Sequence, residues 1–345
     1  MDCVNIHDLE RQAEALLDPG VFGYFAGGSC DELTLNENVA AFSRLRLLPR
    51  VLVDVSAVDT STSVLGVPLA MPVIVAPVAF QRLVSPDGEP GTARAAEAAG
   101  TIFTLSTIAS SRPSEVLAGN RWMQVYVFRD RAVTRAIVDE AVEAGFQALV
   151  LTVDAPRAGR RERDLYSGFA VPADLGVPAL GERTMTVAEA FDLLDRSLTW
   201  NDFAEIVSES PLPVLLKGIH TPEDAQLAVE HGAAGVVVSN HGGRQLDGVP
   251  ATIEMLPAIA HALGGRTPVL VDGGIRRGTD VLKAIALGAD AVMAGRAVLW
   301  GLACDGQAGA ERALRILADE IELGMTLLGV RAISELNSAY VCPSR

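Results

Sequence analysis

Cysteine is scarce and scattered, with four in 345 residues at positions 3, 30, 304 and 342 and no CxxC pair. That argues against a disulfide framework and a zinc site, and it fits a reducing, cytoplasmic setting. Basic residues are outnumbered, with 28 Lys and Arg against 43 Asp and Glu and a formal net charge of −15. Nucleic acid and anionic membrane both need the opposite balance, so neither is expected as a partner. No apolar run reaches the ~18 residues of a membrane span. The opening MDCVNIHDLE lacks a signal peptide's basic and apolar blocks, so none is expected. Low-complexity tracts, short repeats and interdomain linkers are also missing. What remains is 49% hydrophobic and 21% charged, enough apolar surface to bury a full core.

From about residue 71 a rhythm begins. Apolar runs rich in Val and Ile, at 73–76, 102–105, 123–127, 148–153, 214–216, 235–238, 269–271 and 291–294, alternate with Ala-rich helical stretches. Near-continuous apolar strands separated by helices imply a parallel sheet covered on both faces. Eight such units predict a closed (β/α)8 TIM barrel, an α/β fold. An open doubly wound sheet is the alternative, but GxGxxG after the first strand is absent. Residues 1–70 read as an N-terminal helical cap, 71–305 as the barrel, and 306–345 as a C-terminal helix and tail, all one domain. Within the cap, Ile6, Leu9, Ala13, Leu16 and Leu17 follow helical spacing, 21–28 mixes aromatics with glycine, and 33–42 reads as a second helix. The longest break, 155–198 after strand four, reads as a functional loop or lid.

On this fold the active site lies at the C-terminal ends of the strands. Strand one ends Ala76-Pro77-Val78-Ala79, strand two in Ser106, and strand three carries Gln124 and Tyr126. Strand four ends Thr152-Val153-Asp154, strand five in Lys217, and strand six in Ser239-Asn240-His241-Gly242-Gly243-Arg244. Strand seven ends Asp272-Gly273-Gly274 with Arg276 beyond, and strand eight Gly295-Arg296. Glycines there let backbone N–H groups approach an anion, and Arg276 and Arg296 can pair with its oxygens, which predicts a phosphate site. His241 can take a proton near neutral pH with Asp154 as its orienting partner. Arg244 offers a planar fork suited to a carboxylate. Lys217 could form a Schiff base or serve as a fixed charge, and spacing does not choose between them. His7, His220, His231 and His261 read as structural. Of Arg157, Arg160, Arg161 and Arg163, most read as a solvated stretch, with one member near enough to Asp154 to reach the rim.

The run Ser239-Asn240-His241-Gly242-Gly243-Arg244-Gln245-Leu246-Asp247 closely resembles the signature of the FMN-dependent 2-hydroxy-acid oxidases and dehydrogenases. The likeness spans the chain, from Tyr24 through Arg160-Arg161 and Lys217-Gly218 to Gly295-Arg296. It implies FMN as cofactor, with a 2-hydroxy acid and dioxygen as reactants and a 2-keto acid and peroxide as products. It implies His241 as catalytic base with Asp154 as partner, and Tyr24 and Arg244 as holders of the substrate carboxylate. Tyr126 would bond the substrate, and Arg161 would stand near its entrance. Lys217 would sit beside the flavin and stabilise its reduced anionic ring, which answers the Schiff-base question. Pro77, Val78, Ala79, Ser106, Gln124, Thr152 and Ser239 would line the flavin. Asp272, Gly273, Gly274, Arg276, Gly295 and Arg296 would hold its ribityl chain and phosphate. A homotetramer is the family expectation.

Departures from the family pattern point to the substrate. Ile108 stands where glycolate oxidase has a tryptophan, and Ala158 where it has a leucine. Both changes enlarge the space beside the α-substituent, and the segments 26–29 and 76–83 look closer to hydroxymandelate oxidase. An (S)-2-hydroxy acid bulkier than glycolate, either aromatic such as a mandelate or of medium chain length, is therefore expected. The rivals are a dehydrogenase using a quinone or carrier, a monooxygenase that decarboxylates the keto acid, a non-redox barrel isomerase, and a flavin binder without catalysis.

Overall fold

The computed structural model describes residues 3–172, 175–181 and 187–344. Eight parallel strands close into a barrel in chain order: β1 (Val73–Val75), β2 (Ile102–Leu105), β3 (Asn120–Val125), β4 (Ala148–Thr152), β5 (Val214–Ile219), β6 (Gly235–Val238), β7 (Val269–Asp272) and β8 (Ala291–Ala294). β8 pairs with β1 through Val292 opposite Val73, which completes the ring.

Strand alternation decides which side chains enter the barrel. Ile74, Ile102, Trp122, Val150, Leu215, Val237, Leu270 and Met293 fill its interior and form one buried cluster. Two residues further along the same strands come Ala76, Thr104, Gln124, Thr152, Lys217, Ser239, Asp272 and Gly295. The apolar layer therefore gives way to a polar layer at the C-terminal mouth. Intervening residues such as Leu149, Leu151, Leu216, Val236 and Val271 point outward into the core under the helices. The hairpin formed by Thr62–Val64 and Val67–Leu69 adds Val64 and Leu69 to the interior cluster.

Three helices precede the barrel: α1 (Ile6–Leu16), α2 (Pro19–Ala26) and α3 (Leu33–Ser43). Asn5 caps α1 by accepting from the Asp8 N–H at 2.9 Å, and Asp18 caps α2 by accepting from the Gly20 N–H at 2.8 Å. The aromatic and glycine mixture at 21–28 is thus mostly helix, because the Asp18 cap and Pro19 in the first turn start one there. Residues 1–70 also hold short strands, at Leu45–Leu47, Thr62–Val64 and Val67–Leu69, where helices and turns alone were expected. The stretch Arg296–Leu328 is two helices joined at a kink, where Asp305 (φ −156°) and Gly306 (φ +53°) leave helical geometry, so the second helix starts where the C-terminal helix was expected. The loop at 155–198 contains short helices at Glu162–Ser167 and Val187–Asp192. The part of the lid expectation that falls on 173–174 and 182–186 lies outside the described residues.

α3 is pinned to the barrel mouth by two buried amides. Asn38 Nδ2 donates to Asn240 Oδ1 and Asn240 Nδ2 donates to Asn38 Oδ1, both at 2.8 Å. The Asn38 carbonyl also lies against Gly274, where a Cβ would stand 1.9 Å from that oxygen and φ is +82°. Only glycine fits there. Asn38→Ala strands the Asn240 amide away from water and should cost about 1–3 kcal/mol per group left unpaired. Urea unfolding should read this as a lower midpoint with an unchanged slope; an unchanged midpoint contradicts the pinning role.

Candidate active site

The polar layer opens into a cleft at the barrel mouth. All the sequence-predicted site residues line it except Asp154 and Ser239, which sit directly behind. Ile108 lines it as well, whereas Ala158 packs partly buried outside it. Sequence reasoning missed Phe25, Phe191, Ile275, Met293 and Leu299, which also line the cleft. Phe191 stands in the irregular 155–198 stretch, where no periodicity marks an inward side chain. Its ring lies 5.4 Å from that of Tyr126.

His241 follows β6 with φ +57°, and Gly242 and Gly243 continue with φ +63° and +77°. A histidine in this region carries backbone strain that the surroundings must hold. The holding contacts are the Ser239 hydroxyl, which accepts from the His241 N–H at 3.1 Å, and Leu35, whose backbone leaves no room for a Cβ on Gly243. The turn aims the imidazole at Asp154, with Nδ1 2.9 Å from Oδ1. Nε2 faces the cleft, 3.4 Å from the Tyr126 hydroxyl. Burial pushes the Asp154 carboxyl up, but His241, Lys217 and His220 outweigh it and hold Asp154 below the usual carboxylate range. Burial, and then the Asp154 charge, pushes the Tyr126 phenol well above its ordinary value, so it stays protonated.

Lys217 is buried, with Nζ 2.9 Å from Asp272 Oδ2 and 2.7 Å from the Ser239 hydroxyl. Burial opposes its charge, but Asp272 and Asp154 outweigh this and raise its pKa, so the amine is a fixed cation. On the adjoining strands β3 and β4, Gln124 Nε2 donates to Thr152 Oγ1 at 3.1 Å, and Gln124 Oε1 accepts from the Thr107 N–H at 2.9 Å.

The remaining cations crowd together. Arg244 donates to the Tyr24 and Gly27 carbonyls at 2.6 and 3.0 Å. Arg296 donates to those of Phe25, Gly242 and Gly27 at 2.8, 3.0 and 2.9 Å. The guanidiniums of Arg161 and Arg244 each stand 5.1 Å from the Tyr24 ring. Burial, and then Arg161, pulls Arg244 down to about 10. Burial, and then Arg244 and Arg276, pulls Arg296 down to about 9. The groups repel one another, and the hydrogen bonds of Arg244 and Arg296 go to carbonyls rather than carboxylates. Arg161 pairs with Asp164 at 3.3 Å and Arg276 with Glu10 at 3.4 Å, which leaves Arg244 and Arg296 as the uncompensated pair, while Arg160 and Arg163 make exposed ion pairs with Glu162 and Glu32.

This surplus of buried positive charge calls for anions. Gly273 and Gly274, at φ +93° and +82°, and Gly295 at the start of the Arg296–Leu328 stretch open the backbone beside Arg276 and Arg296. The arrangement fits a phosphate-bearing cofactor at that end and a carboxylate between Tyr24, Arg161 and Arg244.

Comparisons with known proteins agree with this chemistry. A profile of the FMN-dependent dehydrogenase family matches residues 13–343. The chain is 47% identical to glycolate oxidase 3 of Arabidopsis thaliana, over 99% of this chain and 96% of that protein. It is 45% identical to L-lactate oxidase of Nostoc sp. (strain PCC 7120 / SAG 25.82 / UTEX 2576), over 98% of each. The crystal structure of mandelate oxidase with (S)-4-hydroxymandelic acid matches with a TM-score of 0.92 at 43% identity, over 99% of each chain.

The charge surplus predicts that the cofactor-free protein is stabilised by inorganic phosphate. At a hundredfold excess over Kd the gain should be ~2.7 kcal/mol, seen as a raised thermal midpoint. Chloride at equal ionic strength should not reproduce it. Equal effects of the two salts contradict an anion site.

Proposed function

Since this chain belongs to the FMN-dependent 2-hydroxy-acid oxidase family, we propose that it oxidises an (S)-2-hydroxy acid bulkier than glycolate, of the mandelate type. The observation that carries the reading is the His241–Asp154 pair facing Tyr126, with Arg244 and Arg161 gathered at Tyr24. The overall reaction converts R–CHOH–COO⁻ and O2 into R–CO–COO⁻ and H2O2. Bound FMN supplies the two-electron acceptor. Pro77, Val78, Ala79, Ser106, Gln124 and Thr152 would form its wall, and Lys217, held by Ser239 and Asp272, would place a cation beside it. Gly273, Gly274, Arg276, Gly295 and Arg296 would take its phosphate end.

Arg244 and Tyr24 bind the substrate carboxylate, and Arg161 adds charge at the entrance. Tyr126, protonated across the working range, donates to the substrate oxygen. His241 Nε2 takes the substrate proton, and Asp154 at Nδ1 stabilises the imidazolium that results. The α-substituent lies against Ile108 and Phe191. An aliphatic and an aromatic side chain in the cleft lining suit an aryl group, and mandelate oxidase is among the similar structures.

We place the enzyme in the cytoplasm, in keeping with four free cysteines; no helix among the described residues is long and apolar enough to cross a membrane. A homotetramer is carried over from the family, and exposed Val51, Leu52 and Leu327, apolar side chains near the Arg50–Leu328 backbone contact, offer a surface for self-association. Light scattering at four chain masses agrees with this, and a monomer contradicts it.

Steady-state oxygen uptake tests the substrate assignment. The wild type should prefer (S)-mandelate to glycolate in kcat/KM. Ile108→Trp should cut the mandelate value by roughly 10–200-fold, the range for a changed apolar pocket, while sparing glycolate. A wild-type preference for glycolate overturns the assignment. Substrate-driven bleaching without oxygen uptake points to a dehydrogenase, and a decarboxylated product to a monooxygenase.

A further inference from the structure

His220 has no part in the steps above. It follows β5 by one residue, with Lys217 three positions earlier in the cleft. Between them Gly218, at φ +111°, lies so close to Asp154 that a Cβ there would stand 2.7 Å from the aspartate Cβ. The end of β5 is therefore pressed against the carboxylate that orients His241.

The buried polar atoms without a hydrogen-bond partner include Asp154 Oδ2, Asp272 Oδ1 and His220 Nε2. Of these, Asp154 lies against Gly218, two residues before His220. Asp154, after β4, and Asp272, ending β7, act electrostatically on His220, as does Lys217 of β5. His220 in turn is among the groups acting on Asp154, together with His241 from the turn after β6. Burial lowers the His220 pKa below the ordinary histidine value despite the two carboxylates, so its ring is neutral near pH 7 and carries one N–H. The other ring nitrogen is not among the buried unpartnered atoms. The unpartnered Asp154 oxygen and one potential donor are the two polar partners that a buried water can bridge.

We propose that His220 is a positioning residue for the base, its Nε2–H satisfying Asp154 Oδ2 through a buried water, and thereby tuning the pH at which His241 gives up its proton. This rests on His241 being the base. The sign follows from charge. A donor directed at Asp154 neutralises part of the carboxylate's hold on imidazolium. Removing it strengthens that hold, so His241 keeps its proton to higher pH.

The test compares wild type, His220→Leu and His220→Gln in the FMN-loaded enzyme. The acid limb of kcat/KM for (S)-mandelate should move up by about 0.5–1 pH unit in H220L, equivalent to a three- to tenfold change in the proton-binding constant. H220Q, which retains an N–H donor, should stay close to wild type. Histidine-ring NMR titration, with only five histidines to assign, should give the same upward displacement for His241 in H220L. A superimposable H220L profile overturns the proposal while leaving the base reading intact, and so do equal shifts in the two variants. A wild type that reduces its flavin with no acid limb removes the base reading and this proposal together.

Discussion

Everything at the barrel mouth answers to one constraint, the burial of more cations than anions. Lys217 is matched by Asp272, and His241 is partnered by Asp154. Arg244 and Arg296 have only carbonyls as hydrogen-bond partners, and those carbonyls belong largely to the N-terminal segment, at Tyr24, Phe25 and Gly27. The arginines therefore do two things. They tie the turn after α2 across the barrel mouth, and they keep enough uncompensated charge to draw a phosphate and a carboxylate into the same cleft. Desolvation makes such charge costly until the anions arrive. Ligand binding and the ordering of the mouth are thus coupled.

The segment after β6 reflects the same economy of parts. Asn240 exchanges hydrogen bonds with Asn38. Gln245 holds the chain after β4 by donating to the Asp154 and Arg157 carbonyls and accepting from the Gly159 N–H. Asp247 caps α3 by accepting from the Thr34 N–H at 2.8 Å. Of this group, the side chains of His241 and Arg244 and the backbone of Gly242 line the cleft. The neighbours that look like a catalytic signature are largely the scaffold that fixes those two side chains, and a change at any of them should act through position rather than chemistry.

The barrel was legible because parallel strands covered on both faces read as unbroken apolar runs. The runs 102–105, 235–238 and 291–294 coincide with β2, β6 and β8. The polar residues closing each run could be gathered into one site because strand alternation and barrel closure leave them a single common end. Legibility failed where tertiary contacts override local pattern. The helix over Pro19–Ala26 contains two glycines and three aromatics, weak helix formers, and is set by its cap. The hairpin around Leu65-Gly66 has strands of three residues, too short for periodicity to register. Phe191 enters the cleft from a stretch with no period at all. Ala158 was assigned to the pocket by family position, yet it packs outside the cleft while Ile108 lines it.

The central claim is that the buried cations and the His241–Asp154 pair together process a 2-hydroxy carboxylate at FMN. The most direct check is the anaerobic visible spectrum of the FMN-loaded protein on adding (S)-mandelate, followed by air. The account predicts that the flavin bands bleach on addition and return with oxygen. A flavin spectrum that neither mandelate nor any other 2-hydroxy acid alters contradicts it.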